Sequence, residues 1–295
     1  YIDANKIKHL SGGWSTTRLA SLSFEGVRAL DVSKALLPIS LPNFAHLPQN
    51  VQLPILVGSD FKLQIPENWG LVAKYVDTGF ELCNSYQLKD NQALVLPVDI
   101  HTMANQLVYE REMFLDGSWE TLALPFRAKI PSGFEAAIVS YDNGNLAFTP
   151  VTSLEAGQAC IIRSTEKPSS AKKIVKFYSL EGMLTTQSQQ QSPLCANYTT
   201  MNVTSSAEYL YFLNEAGDSF VRVGEGSSLA PFRAYVKLSA PAATRLFLPM
   251  ELSTGIDTSL LKETNNIFYN LQGKQLAAPE AKGVYILNNK KILIR

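Results

Sequence analysis

The chain has 295 residues, 46% of them hydrophobic and 18% charged, with Lys plus Arg equal to Asp plus Glu at 26 each. That apolar fraction supplies a sizeable core and excludes global disorder. The balanced charge, with no basic block, excludes nucleic acid or an anionic membrane surface as the principal partner.

In chain order, residues 19–58 alternate apolar and polar in short bursts: Leu19, Leu22 and Phe24, then Val27, Leu30 and Val32, then Leu53, Ile55 and Val57. The step of 23 residues from Leu30 to Leu53 lies within the period of leucine-rich repeats. The intervening Leu41-Pro42-Asn43-Phe44 and the earlier Pro38 exclude a long helix. One or two such units cannot bury a stacked core alone, so this region is either the end of a repeat array or a β segment packed on its neighbour. A short turn is expected around residues 66–71.

From about residue 75 the pattern changes to short strands separated by turn residues. Strands are expected over 94–100, 106–114, 120–130, 137–142, 145–149, 159–164, 173–178, 208–213, 219–223 and 232–238. Asn143-Gly144 between two β-rich runs is a tight-hairpin signal. Many short strands argue an all-β fold, a sandwich or barrel. Pro125-Phe126-Arg127-Ala128 recurs as Pro231-Phe232-Arg233-Ala234. In each copy the residues alternate by type, as a half-buried strand requires, with proline at the entry where a missing ladder donor is tolerated. At the end, a strand over 267–271 meets a turn at Gly273, and 284–287 and 291–294 form a hairpin across Asn288-Asn289-Lys290.

Three cysteines, Cys83, Cys160 and Cys195, are too few for a disulfide framework; Cys160, in an apolar run, is expected in the core as a small hydrophobe. His9, His46 and His101 have no His or Cys neighbour at ligand spacing, so no metal site is expected. A nucleophile elbow and a phosphate-cradling glycine loop are both missing from the sequence, and Gly224-Glu225-Gly226 is a turn. No catalytic residue, cofactor or metal is assigned. The best acidic cluster is Glu110, Glu112, Asp116 and Glu120. It allows paired carboxylates for glycoside hydrolysis, but is expected to be solvated around the Asp116-Gly117 turn and interleaved with Arg111. Among the tryptophans, Trp119 opens an alternating strand and is expected in the core. Trp14, after Gly12-Gly13, and Trp69, before Gly70, sit at turns and are the ligand-binding candidates, because a flat π face suits a sugar ring.

The run Gly117-Ser118-Trp119-Glu120-Thr121-Leu122-Ala123-Leu124-Pro125-Phe126 resembles the G-x-W-x-T-L-x-L-P-F stretch of surface and secreted proteins of Bacteroidetes that carry leucine-rich repeats ahead of it. Ala230-Pro231-Phe232-Arg233-Ala234-Tyr235-Val236 resembles the P-F-x-A-Y strand of the same family. Thr254-Gly255-Ile256 and residues 267–295 resemble its closing module, which is similar to the C-terminal sorting domains of the type IX secretion route. The resemblance implies an all-β chain in three parts: a leucine-rich-repeat-like region over 1–115, a β-sandwich over 116–252, and a spacer with a sorting-like β module over 253–295. It implies a non-enzymatic, exported protein at the cell surface or secreted, on the Gram-negative outer surface or in the periplasm, with an adhesion-like or scaffold role. The alternatives are a surface glycan-binding module and a carboxylate-based hydrolase. The expected partner is an extracellular protein or a glycan, with no nucleic acid. No stretch approaches the ~20 apolar residues of a membrane helix. The start at Tyr1 suits a leader that has been removed, and a lipid anchor upstream is one mode of attachment left open.

Overall fold

A computed structural model of the chain describes residues 2–3, 29–33, 51–60, 65, 70–142, 145–188, 192–205, 208–239, 243–249, 268–269, 275–276, 283–287 and 290–294. Among them the regular elements are all strands, and the fold is all-β. No helix among the described residues is long and apolar enough to cross a membrane. The chain divides into two compact units, Tyr1–Leu252 and Ser253–Arg295.

The first unit begins with short parallel strands. Ile2–Asp3 lies beside Leu30–Val32, which lies beside Ile55–Val57, which lies beside Val72–Val76. Leu30 faces Ile55, two positions beyond the Leu53 that the repeat step predicts. Pro54 is the physical reason: it has no N–H to give a ladder, so the strand starts after it. The three residues of Ile55–Val57 are fully buried, as parallel strands covered on both faces are. The short turn expected around 66–71 lies mostly outside the described residues.

The parallel strands continue into one mixed sheet through Gly79–Leu82, Ile100–Thr102, Lys172–Leu184, Leu107–Phe114 and Tyr86–Lys89, with Phe126–Lys129 and Ser153–Leu154 attached beside the long strand Lys172–Leu184. A four-stranded antiparallel sheet runs Glu120–Ala123, Ala159–Ser164, Phe134–Asp142, Asn145–Val151. A five-stranded antiparallel sheet runs Leu194–Asn197, Arg233–Leu238, Tyr209–Leu213, Ser219–Arg222, Arg245–Phe247. One hydrophobic core draws on all three, from Leu56 in the parallel strands to Leu122 and Ile162 in the four-stranded sheet and Val236 and Leu246 in the five-stranded one. The region expected to end at residue 115 therefore shares both a sheet and a core with the strands C-terminal to it.

The two Pro-Phe-Arg-Ala copies occupy equivalent kinds of place. Phe126, Ala128, Phe232 and Ala234 are all buried, while Arg127 is exposed and Arg233 half-buried. The expected strand over 120–130 is split: Glu120–Ala123 belongs to the four-stranded sheet and Phe126–Lys129 to the mixed sheet. Pro125 sits at the break, where the chain can leave one ladder for another without a lost donor. The register sets Asp142 opposite Asn145, as a two-residue connection demands. In the second unit, Gly283–Leu287 pairs antiparallel with Lys290–Ile294 and with Phe268–Tyr269, which pairs with Gln275–Leu276.

Candidate binding site

Arg111 is the residue that builds the site. In the strand Leu107–Phe114 the inward positions are Leu107, Tyr109, Arg111 and Met113, all buried, and the outward ones are Val108, Glu110, Glu112 and Phe114. The period of two thus turns a guanidinium into the core, where an uncompensated charge is costly. Glu120 compensates it. Its Oε2 lies 2.5 Å from Arg111 Nη2, and Arg111 Nη1 donates to the Thr121 carbonyl at 2.6 Å. Glu120 Oε1 accepts from the Phe114 backbone N–H at 2.9 Å, so both carboxylate oxygens are engaged. Arg111 Nε is the one buried side-chain nitrogen or oxygen without a hydrogen-bond partner among the described residues. Burial, and then the nearby Arg233 charge, pull the Arg111 pKa down, against the opposing pull of Glu120.

Arg233 forms the second ion pair. It makes a two-pronged contact with Asp90, Nη1 to Oδ1 at 2.7 Å and Nη2 to Oδ2 at 3.0 Å. The Tyr109 hydroxyl donates to the same Asp90 Oδ1 at 2.6 Å. Burial alone would raise the Asp90 pKa, but the Arg233 hydrogen bond and charge and the Tyr109 hydroxyl outweigh it and hold the carboxyl below its usual range. Burial pushes the Tyr109 hydroxyl up, which keeps it a donor.

Backbone bonds fix these side chains relative to one another. The Ala123 N–H donates to the Phe232 carbonyl and the Ala234 N–H to the Thr121 hydroxyl, tying the Glu120–Ala123 strand to the entry of Arg233–Leu238. Phe232 has φ of 59°, a left-handed conformation uncommon for an aromatic residue. Its ring is held 4.8 Å from that of Tyr109 and 5.9 Å from that of Tyr198. The hairpin turn from Asn214 to Ser219 approaches from the other side. Asn214 caps it by accepting from the Asp218 and Ser219 backbone N–H groups, and the Trp119 N–H donates to the Gly217 carbonyl.

Between these elements lies an open cavity of about 290 Å³, near the small end of ligand pockets, roughly 300 Å³. Arg111, Arg233, Glu120 and Glu215 line it, with Asn214 and Phe114. Its charged lining is balanced, two guanidiniums against two carboxylates. Phe114 is 42% exposed.

Trp14 and Trp69 lie outside the described residues, as do His9 and His46. Trp119 is buried at 4% exposure, its indole N–H bonded to the Pro249 carbonyl and the Arg163 guanidinium 4.3 Å above its ring. Cys160 is fully buried. His101 is exposed, opposite Met183.

The acidic cluster is divided between two faces. Glu110 and Glu112 stand on the outer face, paired with Lys176 and Lys172. Asp116 accepts from Ser118 in the turn. Glu120, expected in solvent, is a correction: it is 8% exposed and turned inward to Arg111, because an inward arginine needs a counter-charge. Reading the cluster as solvated missed Arg111 itself, although its parity with Leu107, Tyr109 and Met113 signals an inward side chain. No protein-family model, curated protein or solved structure matches the chain.

Proposed function

We propose that this protein is a non-enzymatic, exported cell-surface protein with an adhesion-like or scaffold role. The observation that carries the interaction role is the outer face of the paired strands Leu107–Phe114 and Lys172–Leu184. The register sets Phe114 opposite Lys172, Glu112 opposite Ile174, Glu110 opposite Lys176 and Val108 opposite Tyr178. Phe114, Ile174 and Tyr178 are exposed on that one face among two Lys–Glu pairs. Apolar groups gathered with charges on one exposed sheet face suit recognition of another surface. The stacked parallel strands support reading residues 1–115 as leucine-rich-repeat-like, and the ordered motifs up to the tail support export. The engagement of Glu110, Glu112, Asp116 and Glu120 by separate partners supports the non-enzymatic reading. The test is antibody labelling of intact source cells, with a cytosolic marker as control. Labelling before permeabilisation is the expected result; labelling only after it would overturn the reading.

A second reading, a surface glycan-binding module, is favoured by the charge-balanced lining of the Arg111–Arg233 cavity.

A further inference from the structure

We infer that the outer face of the strands Leu107–Phe114 and Lys172–Leu184 docks on the same face of a second copy of this chain. The inference rests on the surface-interaction reading and names the partner.

The charges on that face are sorted by strand. In Leu107–Phe114 the outward row is Val108, Glu110, Glu112 and Phe114, with two carboxylates and no cation. In the neighbouring strand it is Lys172, Ile174, Lys176 and Tyr178, with two ammoniums and no carboxylate. An acidic row thus runs beside a basic one, a strand spacing of ~4.8 Å away. The Lys–Glu pairs between the rows leave much of these groups in water, with the Glu112, Lys172 and Lys176 side chains 60%, 45% and 50% exposed. Exposed Lys89, opposite Glu110 in the strand on the other side, adds a third ammonium.

That pattern selects the occupant. A strongly acidic partner would meet the Glu110–Glu112 row and a strongly basic one the Lys172–Lys176 row, and like charges set opposite each other oppose docking. A fitting surface carries one basic and one acidic row at the same spacing, with apolar groups among them. This face is such a surface. A two-fold axis running along the strands sets the acidic row of each copy over the basic row of the other. Glu110 then stands opposite Lys176 of the second copy, and Phe114 opposite its Lys172, a ring–ammonium contact that Phe114 already makes within one chain at 4.7 Å. An axis across the strands would set acid on acid, so charge fixes the orientation as well as the partner. The strands of the two copies stay aligned, as stacked sheets commonly are, and the contact is self-complementary, as a two-fold interface must be.

The exposed apolar groups supply the attraction. Ile174 is 64% exposed and Tyr178 50%, and covering them with a second sheet removes that surface from water. The two rows span only ~20 Å by ~10 Å, less than the roughly 800 Å² that each partner of a stable complex buries. A single contact is accordingly weak, and it gains strength where many copies face one another on apposed surfaces.

The test is sedimentation velocity of the full chain over a concentration series reaching roughly 1 mM, high enough to populate a weak contact. A monomer–dimer equilibrium is expected. Glu110→Lys with Glu112→Lys makes both rows basic, and Lys172→Glu with Lys176→Glu makes both acidic. Either double variant alone should weaken the dimer about a hundredfold or more. Mixing the two should restore association, because each basic row then meets an acidic one. Both should keep the parent's amide NMR dispersion, since exposed ion pairs contribute little to stability. Ile174→Ser changes no charge and gives an independent reading: it should weaken the dimer about tenfold. A chain that stays monomeric across the series, a dimer that any of these variants leaves unchanged, or two charge variants that stay apart when mixed would each overturn the assignment. None of these outcomes bears on surface labelling of intact cells, so the self-pairing can fail while the proposed surface role stands.

Discussion

Phe232 sets a conflict between backbone and side chain within one residue. Its φ of 59° costs an L-residue roughly 1–2 kcal/mol, while its fully buried ring packs against Tyr109 and Tyr198. Phe232→Ala should therefore cost about 3–5 kcal/mol in urea unfolding, as buried Phe truncations do. Phe232→Gly should be no worse than Phe232→Ala, because glycine accepts positive φ without penalty. In an ordinary strand the order would be reversed, so a glycine variant less stable than the alanine variant would show that backbone strain at this position is unimportant. Asp90 carries the pH dependence of the neighbouring pair. Its folded pKa is lowered, so the ionised carboxylate contributes stability above the unfolded value near 3.9. That contribution is lost as pH falls through the lowered folded value. Asp90→Asn should remove this part of the acid limb in a stability-versus-pH series. At neutral pH it should cost about 2–4 kcal/mol, below the figure for fully buried pairs because both side chains are about a fifth exposed. An unchanged acid limb in Asp90→Asn would place the acid sensitivity elsewhere.

At the scale of elements, the Asn214–Ser219 turn depends on close approach to a neighbouring strand. Gly217 has φ of +63°, and a Cβ there would collide with the Trp119 carbonyl oxygen. Gly226 also has positive φ, +86°, but a Cβ there would meet nothing within 4 Å. Gly226→Ala should then cost only the backbone strain, about 1–2 kcal/mol, and Gly217→Ala clearly more, with the Trp119 amide shifting in NMR. Equal costs would mean that the turn yields without disturbing the site. The same region shows what the sequence makes legible. Leu107–Phe114 is readable because period-two patterning and burial coincide in it, and Ala159–Ser164 because it is a short apolar run buried along nearly its whole length. Tyr86–Lys89 and Leu194–Asn197 escaped, since four residues bounded by polar turns leave too little periodicity to register. The break at Pro125 was written in the sequence as a proline, but which sheet receives each half depends on pairing with residues far along the chain. The site was half-legible for the same reason. The inward parity of Arg111 can be read locally, whereas its pairing with Glu120 and the approach of Arg233 arise only when three sheets meet.

At the scale of the molecule, the question is whether the sandwich-like sheets stand without the region before them. The long strand Lys172–Leu184 takes Leu107–Phe114 and Ile100–Thr102 as ladder partners, so a fragment of residues 116–252 would strip both from that strand and remove the Tyr109 ring from beside Phe177. It would also separate both ion pairs of the site: Glu120 would lose Arg111 and Arg233 would lose Asp90. Removing one partner of a buried pair costs roughly 3–5 kcal/mol because it strands a charge, and about 2–4 kcal/mol for the pair of Arg233 and Asp90, which is about a fifth exposed. Two such losses, added to the exposed apolar surface, approach the whole stability of an ordinary domain, about 5–15 kcal/mol. The fragment 116–252 is therefore expected to give a collapsed amide NMR spectrum, while residues 1–252 give a dispersed one. Dispersed resonances from 116–252 alone would show that the later sheets fold independently, and that the two ion pairs join finished parts rather than complete a single core.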